Sequence, residues 1–468
     1  MSPPISSLKN VNNIYFLGIA GQLMSALACV AKDFGYHITG SDENAYPPAT
    51  TYLESSKITW ISGHKPENIG HPDLVVLGNH IRQGNPELEA LLESKIPFVS
   101  YPQMVRLLFP NAKYRLVVAG THGKSTTTSL LGWILTQAGL NPTVLIGAQS
   151  KNFNSSFRLG SKEILVIEGD EYTSSCLDNT PKFLYYEPTH AILTSAELDH
   201  MDVFNTWEKQ ATAFTSFAKS VSQMLIVCGD TLNGNKLSLP TKAKVEKYGL
   251  GEFDWQATNI HFSGKLTKFD VSHHEKLLGT FSMHLSGKHY IQDSLSAIAL
   301  AHHTDIPTHI IQKSLLTFKG VGKRFEVVYD KGITIIDDYA HHPTAIKVTL
   351  EAASSRYPSR RLWAIYEPHT FTRVKGLLPQ FAHCFDPADI AIIADIMPAR
   401  EKALTGLVHS RDIVATAKNH PDIHYLATPD EILAYLKQNL KPNDVFVFMS
   451  VGKFGDLPKK LSEFITIQ

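Results

Sequence analysis

The segment that most constrains the fold of this chain is residues 116–130, LVVAGTHGKSTTTSL. A short apolar run enters a glycine turn, and the turn leads into a helix start that is rich in serine and threonine. A strand followed by such a turn and a helix directs backbone N–H groups and the helix dipole at a bound anion. Val118 stands where the general phosphate-loop pattern has its first glycine, so the loop is a compressed version that begins at Gly120. We therefore predict an α/β sheet with a nucleotide-phosphate site in this segment.

Every residue of the compressed loop is a candidate for nucleotide binding. We expect Lys124 to lie along the β- and γ-phosphates and the Ser125 hydroxyl to ligate Mg²⁺. The helix continues to a capping glycine, Gly139, which supports the strand–turn–helix interpretation. The predicted ATP-binding residues of the loop are Gly120, Thr121, His122, Gly123, Lys124, Ser125 and Thr126.

The composition limits the classes of protein. A length of 468 residues exceeds one ordinary core and predicts about two to four domains. Lysine and arginine together number 44, as do aspartate and glutamate, so no net charge favours nucleic acid or an anionic membrane. The apolar runs are too short to span a bilayer, the first residues do not read as a secretory signal, and the four cysteines show no metal-binding spacing. We expect a cytoplasmic protein with reduced thiols, no nucleic-acid or membrane partner, and a monomeric or weakly dimeric state.

Residues 13–109 alternate apolar strand-like segments with segments of helical periodicity, which predicts a parallel, doubly wound sheet. Gly18 and Gly21 form part of a dinucleotide fingerprint, although other residues occupy its remaining glycine positions. Asp42 ends the second predicted strand, where such folds contact a ribose. From these residues alone, a structural glycine turn and a capping role for Asp42 remain open alternatives.

Two further predicted strands bring acidic groups to their carboxyl ends, next to the phosphate loop. Carboxyl ends of parallel strands are where α/β sheets place catalytic groups, and carboxylates together with phosphate oxygens suit Mg²⁺. Solvated loop acids and a turn histidine are the alternative interpretation, which the neighbouring loop disfavours. The groups are Glu168, Asp170 and Glu171 after one strand, and Glu197, Asp199 and His200 after the next.

The rest of the chain shows two changes of pattern. Residues 254–285 contain short alternating segments that predict antiparallel strands. Residues 326–468 return to strand–helix alternation, in which the string DDYAHHPTA is the most distinctive.

Several strings resemble the Mur ligases, which build the peptide stem of the bacterial cell wall. They are GTHGKSTTT at the loop, GIAGQLMSALA and TGSDENAYPPATTYLE near the amino terminus, and DDYAHHPTA in the last third. The resemblance covers almost the whole chain and implies three α/β domains. They are a Rossmann-like UDP-sugar domain (residues 1–109), a central P-loop ATPase-type domain (110–325) whose parallel sheet has an added antiparallel sheet, and a Rossmann-like domain (326–468) that closes on ATP and the amino substrate.

The resemblance also implies roles for individual residues. It assigns Gly18, Gly21, Ser41 and Asp42 to the UDP-sugar; Ser125, Glu168 and His200 to Mg²⁺; Asp293, Arg324 and Asp338 to ATP; and Tyr339, His341 and Arg373 to the amino substrate. Lys124, His200 and His341 are the candidate catalytic residues. Asp293 departs from the asparagine that is usual in the family, and an ionised aspartate only accepts hydrogen bonds, which bears on adenine recognition.

The implied activity is ATP- and Mg²⁺-dependent amide formation through an acyl phosphate on the carboxylate of UDP-N-acetylmuramate. The alanine-adding branch of the family typically has two arginines near residues 367–373, whereas this chain has Thr370 and only Arg373. A free amino-acid carboxylate is a natural bidentate partner of arginine. We therefore expect the tripeptide L-Ala-γ-D-Glu-meso-diaminopimelate as acceptor, in peptidoglycan recycling. Addition of L-alanine, in peptidoglycan biosynthesis, is the alternative.

Two other classes of protein are weaker alternatives. A non-enzymatic nucleotide-binding regulator would need neither Glu168 nor His200. A sugar kinase would need no third domain over the nucleotide.

Overall fold

The computed structural model describes residues 5–198, 204, 206–231, 237, 239–399 and 401–467. Asp199 and His200 lie outside these described residues, so the predicted roles of His200 in metal binding and catalysis stay predictions. Three sheets follow one another along the chain, and each is packed against helices. The fold class predicted from the sequence is confirmed, whereas the exact domain limits stay predictions.

The first sheet has five parallel strands in the order β3-β2-β1-β4-β5, a Rossmann-like arrangement. The start of α3 shows how the sequence sets a helix boundary here, since Pro86 is its first residue and the Asn85 side chain accepts from the N–H groups of Glu87 and Leu88. The strands are β1 (Asn13–Leu17), β2 (His37–Asp42), β3 (Thr59–Ser62), β4 (Leu74–Leu77) and β5 (Phe98–Ser100), and the helices are α1 (Gln22–Asp33), α2 (Ala49–Ser55), α3 (Pro86–Glu93) and α4 (Tyr101–Leu108).

The second sheet has ten strands in the order β17-β16-β15-β14-β13-β12-β6-β9-β7-β8. Its strands are β6 (Tyr114–Ala119), β7 (Pro142–Ser150), β8 (Ser155–Arg158), β9 (Ser161–Gly169), β12 (His190–Leu193), β13 (Met224–Cys228), β14 (Lys244–Gly249), β15 (Trp255–Ser263), β16 (Leu266–His273) and β17 (Lys276–Met283). A separate hairpin is formed by β10 (Thr173–Ser175) and β11 (Asp178–Pro181). The helices are α5 (Lys124–Gln137), α6 (Trp207–Ser220), α7 (Lys288–His302) and α8 (Thr308–Thr317).

The predicted antiparallel strands extend this second sheet instead of forming a sheet of their own. β15 joins the sheet by pairing in parallel with β14, where Tyr248 is opposite Trp255. β16 then pairs antiparallel with β15, and β17 pairs antiparallel with β16. At the other end, β8 pairs antiparallel with β7. The strands between these edges run parallel, and their carboxyl ends are aligned: Ala119 of β6 pairs with Gly169 of β9 and Leu193 of β12.

The third sheet has the order β18-β19-β23-β20-β21-β22, and only β18 in it runs antiparallel to its neighbour. Its strands are β18 (Glu326–Lys331), β19 (Ile333–Asp338), β20 (Leu362–Tyr366), β21 (Ile390–Ile393), β22 (Ile423–Tyr425) and β23 (Val445–Met449). Its helices are α9 (Pro343–Arg356), α10 (Phe371–Leu377), α11 (Ser410–Thr416), α12 (Pro429–Asn439) and α13 (Leu457–Ile467). No helix in the described ranges is long and apolar enough to cross a membrane.

The two edges of the second sheet are covered by other parts of the chain. At β8, the Tyr52 hydroxyl accepts from the Ser156 N–H at 3.2 Å, and the Tyr52 ring packs edge-on against Phe157. At β17, the Gln312 amide of α8 donates to the Thr280 carbonyl at 2.9 Å. Side chains therefore satisfy backbone groups that a bare edge strand would leave open.

Candidate active site

The phosphate loop occupies the turn between β6 and α5. Gly120 and Gly123 have φ angles of 130° and 80°, which an L side chain rarely adopts. A Cβ at Gly123 would collide with the Asp293 carboxylate, and one at Gly120 with Thr194. The compressed loop is therefore a tight turn whose two glycines are required both by backbone conformation and by close neighbours.

Lys124 begins α5, and its ammonium group folds back over the loop. It donates to the Gly120 carbonyl at 2.5 Å and lies 3.1 Å from Oε2 of the fully buried Glu171. Burial alone would lower the pKa of Lys124, but the carboxylates of Glu171 and Glu168 outweigh it, and the pKa is raised. The site thus holds a protonated lysine at the carboxyl end of the central strands.

The Ser125 hydroxyl is paired with Glu168, as the metal prediction requires. It donates to Glu168 Oε2 at 2.8 Å, and the same oxygen accepts from the Gly147 N–H at 2.8 Å. A hydroxyl and a carboxylate in contact beside a phosphate loop are oxygen donors of the kind that Mg²⁺ prefers. Thr126, the next residue of α5, is buried behind this pair.

The other loop residues contact the segment that follows β12. Thr121 Oγ1 accepts from the Glu197 N–H at 2.9 Å, and the His122 N–H donates to the Ser195 hydroxyl at 2.8 Å. The His122 imidazole lies 3.4 Å from Glu197 Oε2. Burial would raise the pKa of Glu197, but the hydrogen bond and charge of His122 lower it to about 2.

Glu197 also connects the second sheet to the third. Its Oε2 accepts from the Thr344 hydroxyl of α9 at 2.8 Å and lies 3.9 Å from His342 Nδ1. The rings of His122 and His342 are tilted against each other with centroids 5.0 Å apart. The sequence pattern identified Glu197 only as an acid at a strand end. It did not indicate Thr344, because Thr344 and Glu197 are 147 residues apart in the chain.

Asp293, Arg324 and Asp338 are brought together beside the loop. Burial raises the pKa of Asp293 to about 8, against the opposing charge of Arg324. Burial likewise raises the pKa of Asp338, again opposed by Arg324, while Asp338 accepts from the Phe325 and Ala340 N–H groups at 2.6 and 2.7 Å. Asp293 is therefore a protonated acid at neutral pH, which can donate as well as accept a hydrogen bond.

The amino-substrate candidates line the carboxyl end of the third sheet. His341 Nδ1 lies 2.9 Å from the Tyr339 carbonyl, and the Tyr339 ring lies under the Arg324 guanidinium at 4.7 Å. Arg373, on α10, is 7% exposed and donates to His369 Nδ1 at 3.0 Å. The ring of His369 is 6.4 Å from that of His341, so Arg373 lies close to the other candidates. Tyr339, His341, His369 and Arg373 are called the amino-substrate cluster below, after the role predicted for it.

Glu367 is a further candidate that sequence analysis did not single out. It follows β20 directly, two residues before His369, and it lies near Gly452 after β23. Burial raises the pKa of Glu367 to about 6, opposed by the charge of Lys323. An acid immediately after a buried strand was the available signal, as it was for Glu168.

The predicted UDP-sugar residues of the first sheet differ in position: Gly18, Gly21 and Asp42 form the turn after β1, whereas the Ser41 side chain is buried. The N–H of Gly18, which has a φ of 83°, donates to the Ser41 carbonyl at 2.9 Å, and Gly21 caps α1. Asp42 Oδ2 accepts from the Ala20 N–H at 2.8 Å, so Asp42 organises this turn. Ser41 is fully buried and its hydroxyl donates to Glu87, so its side chain faces inward.

An open cleft of about 830 Å³ lies between the first and second sheets. It is lined by Asn79 and Arg82 on one side and by Tyr172, Phe204 and Lys209 on the other. Tyr172 follows Glu171, the partner of Lys124, so the cleft leads toward the phosphate loop. Two cationic side chains in an open cleft suit an anionic substrate.

The fold and the site define a nucleotide-dependent enzyme of three α/β units with the phosphate loop in the middle one. Three family profiles match: "Mur ligase family, catalytic domain" over residues 13–112, "Mur ligase middle domain" over 118–301, and "Mur ligase, glutamate ligase domain" over 323–452. UDP-N-acetylmuramate–L-alanine ligase of Caldanaerobacter subterraneus subsp. tengcongensis is 36% identical over 463 residues, which cover 97% of this chain and 98% of the relative. The chain belongs to the Mur ligase family, whose members are ATP-dependent ligases that form amide bonds.

Solved structures agree with this fold. UDP-N-acetylmuramate–alanine ligase from Thermotoga maritima matches with a TM-score of 0.78 at 22% identity, over 97% of this chain and 99% of that one. A murein peptide ligase from Psychrobacter arcticus matches with a TM-score of 0.69 at 30% identity, over 96% and 98%.

The expectation of a tripeptide acceptor in peptidoglycan recycling is wrong. Full-length relatives at 33–36% identity are named UDP-N-acetylmuramate–L-alanine ligase, which favours the alternative. The structure supplies a physical reason for the error. Thr370 is 9% exposed, has a φ of 61°, caps α10 and donates its N–H to the Met397 carbonyl at 2.9 Å. Local backbone geometry and packing constrain this position, so the lack of an arginine there does not report which amine is bound.

Proposed function

We propose that this chain is an ATP-dependent ligase that joins L-alanine to the carboxylate of UDP-N-acetylmuramate, releasing ADP and phosphate in peptidoglycan biosynthesis. The supporting observation is that the phosphate loop, with its Lys124 and Ser125–Glu168 groups, contacts the start of α9 in the third sheet. Glu197 accepts from Thr344 and lies 3.4 Å from His122, whose ring is 5.0 Å from that of His342. The full-length relatives named alanine ligases support the choice of acceptor. ATP and nucleotide-activated sugars are cytoplasmic metabolites, so we also propose a cytoplasmic location.

In the first step, the muramate carboxylate attacks the γ-phosphorus of ATP and becomes an acyl phosphate. The Lys124 ammonium, held over the loop by Glu171, neutralises charge on the transferring group. Ser125 and Glu168, with His200, are proposed to hold Mg²⁺, which would neutralise phosphate charge. Asp293, Arg324 and Asp338 are proposed to contact the nucleotide from the opposite side of the loop.

In the second step, the amine of alanine attacks the acyl carbon, and inorganic phosphate leaves from the tetrahedral intermediate. Arg373 is the proposed partner of the alanine carboxylate, and Tyr339 and His341 line the same pocket. The contact of Thr344 with Glu197 brings this pocket over the loop, which excludes water from the acyl phosphate.

The UDP-sugar is proposed to lie in the cleft between the first and second sheets. Arg82 and Lys209 offer positive charge in its lining. Gly18, Gly21 and Asp42 form the turn after β1, and they are proposed to contact the UDP group.

The test is a comparison of acceptors with the purified full chain. Phosphate release and the UDP-linked product would be measured with UDP-N-acetylmuramate, ATP and Mg²⁺, and with L-alanine, glycine, L-serine or L-Ala-γ-D-Glu-meso-diaminopimelate. We expect kcat/KM for L-alanine to exceed that of every other acceptor by at least about tenfold. The tripeptide has no free carboxylate beside its amine for Arg373 to bind. Glycine and L-serine differ from alanine by one methyl or hydroxyl group, which a fitted pocket discriminates by about tenfold or more. Faster turnover of the tripeptide would contradict the proposal.

Two variants serve as internal controls for this assay. Lys124→Ala removes the ammonium from the loop and is expected to abolish phosphate release with every acceptor. Arg373→Lys keeps a positive charge but loses the fork that binds a carboxylate, so it should raise KM for alanine more than KM for ATP.

A further inference from the structure

A second cluster of ionisable side chains lies on the second sheet, away from the phosphate loop. Glu246, on β14, is 1% exposed, and three nitrogen atoms approach its Oε2. They are His303 Nε2 at 2.7 Å, His273 Nε2 at 3.1 Å and Trp255 Nε1 at 2.6 Å. Lys244 Nζ lies 2.6 Å from the other oxygen, Oε1. Two imidazoles and a carboxylate thus converge on one point.

This cluster is separated from the reaction by the length of α7. The helix carries Asp293 in its second turn, against Gly123 of the phosphate loop, and ends at His302, one residue before His303. The stretch from Asp293 to His303 spans about 15 Å at 1.5 Å per residue. No step of the proposed amide-forming reaction uses Glu246 or its histidines.

The positions of these groups suit metal binding. One ligand atom from each of Glu246, His273 and His303 lies within 4.8 Å of the other two. Imidazole nitrogen and carboxylate oxygen are both donors that Zn²⁺ accepts.

We propose that Glu246, His273 and His303 form a binding site for a divalent transition-metal ion of the Zn²⁺ type. Bond lengths of about 2.0–2.1 Å place ligand atoms of a tetrahedral zinc site about 3.3 Å apart. The two imidazole nitrogens lie 2.7 and 3.1 Å from Glu246 Oε2, so small side-chain movements create that spacing. Each imidazole then carries its proton on Nδ1, and water completes the fourth position.

The surroundings orient the ligands and leave an entrance. Trp255 is fully buried and stacks on the His273 ring with centroids 4.0 Å apart, which fixes the plane of that imidazole. The side chains of His273 and His303 are 21% and 17% exposed, so an ion reaches them from solvent. Because the ligands come from β14, from β16 and from the end of α7, a bound ion ties the antiparallel strands to the rest of the sheet.

The test is metal binding by the full chain after chelation and buffer exchange. Zn²⁺ affinity would be measured by competition with a chromophoric chelator, and Co²⁺ coordination by visible absorption. We expect one Zn²⁺ per chain with a sub-micromolar Kd and the absorption of a tetrahedral Co²⁺ site. Both His273→Gln and His303→Gln should weaken binding at least a hundredfold, and Zn²⁺ should raise the Tm of the unaltered chain but not of these two variants.

The matched control is His302→Gln, which removes a neighbouring imidazole that packs against Trp255 and is not one of the three proposed ligands. It should keep both the stoichiometry and the affinity. Circular dichroism and the metal-free Tm identify any variant that fails to fold. The single variants at His273 and His303 are two independent tests of the proposed site. Binding that survives in both ligand variants overturns the proposal, as does the absence of stoichiometric binding by the unaltered chain.

Discussion

Glu367 is a group beside the amino-substrate candidates whose ionisation matches the proton transfer that amide formation requires. Burial raises the pKa of its carboxyl to about 6, and it lies two residues from His369 in the amino-substrate cluster. A base with a pKa just below the operating pH is largely ionised and still able to accept a proton. We therefore expect Glu367 to receive the proton that the attacking amine loses.

This expectation predicts a particular pH profile. Below pH about 6, log kcat/KM for alanine should rise with a slope of about two, one proton coming from the alanine ammonium and one from Glu367. Above that pH the slope should fall to about one. In Glu367→Gln the slope should stay near one throughout, with a lower rate. An unchanged break near pH 6 in that variant would assign the second proton to another group.

Asp293 predicts a second pH effect, on nucleotide binding. Burial raises its pKa to about 8, so the carboxyl is neutral at pH 7 and becomes negatively charged above pH 8, next to Gly123 of the proposed phosphate site. The Kd for ATP should therefore increase between pH 7 and pH 9. Asp293→Asn, which keeps the shape and a donor but cannot ionise, should bind ATP equally well at both values. Fluorescence titration with a labelled nucleotide measures this, and a pH-dependent Kd in the asparagine variant would contradict it.

At the scale of elements, the strand–turn–helix unit is held by glycines with two different requirements. Gly123, before α5, and Gly139, after it, have φ angles of 80° and 78°. An added Cβ at Gly123 would collide with Asp293, whereas an added Cβ at Gly139 would have no neighbour within 4 Å. The two positions share backbone strain and differ in their surroundings, so they form a matched pair.

Alanine substitution should separate these two requirements. Gly139→Ala should cost about 1 kcal/mol of unfolding free energy through backbone strain, with the Kd for ATP unchanged. Gly123→Ala should show a similar strain and also displace the loop from Asp293, which weakens ATP binding by roughly 100-fold. Chemical denaturation and nucleotide titration measure the two effects. Equal ATP affinity in both variants would show that the contact with Asp293 is not needed.

At the scale of the whole molecule, Glu197 joins the second sheet to the third. Its carboxylate accepts from Thr344 of α9 at 2.8 Å and faces His122 of the loop at 3.4 Å. The phosphate loop and the amino-substrate cluster are therefore linked by one charged hydrogen-bonding group. We call the arrangement in which α9 of the third sheet contacts Glu197 the closed arrangement. It depends on this hydrogen bond as well as on apolar packing.

Thr344→Val should loosen the closed arrangement without changing side-chain shape. Loss of a hydrogen bond to a carboxylate costs about 1–2 kcal/mol, or roughly tenfold in the ratio of closed to open forms. We expect a larger radius of gyration in the nucleotide-bound form by small-angle X-ray scattering, and a larger share of ATP hydrolysed without amide formation. The control is Thr349→Val on the same helix, which is buried away from Glu197 and should change neither. Similar effects from both variants would point to helix stability instead.

The parts of the structure that the sequence predicted are those encoded locally. The loop at Gly120–Gly123 and the acid Glu168 follow from a strand, a turn and a helix read over short stretches, and they lie where expected. The contacts of Asp293 with Gly123 and of Thr344 with Glu197 join residues that are far apart in sequence, and no local pattern encodes them. The acceptor was predicted wrongly because Thr370 was interpreted as a missing ligand, whereas backbone geometry and burial constrain that residue.

The covered edges of the ten-stranded sheet determine whether fragments of this chain aggregate. Tyr52 at β8 and Gln312 at β17 occupy backbone groups that would otherwise template another strand. The cover on β8 comes from the first sheet, so a fragment that lacks it would present an open edge next to the apolar strand β7. Such a fragment would aggregate by edge-to-edge pairing, and the unit built on the first sheet thereby protects its neighbour in the same chain.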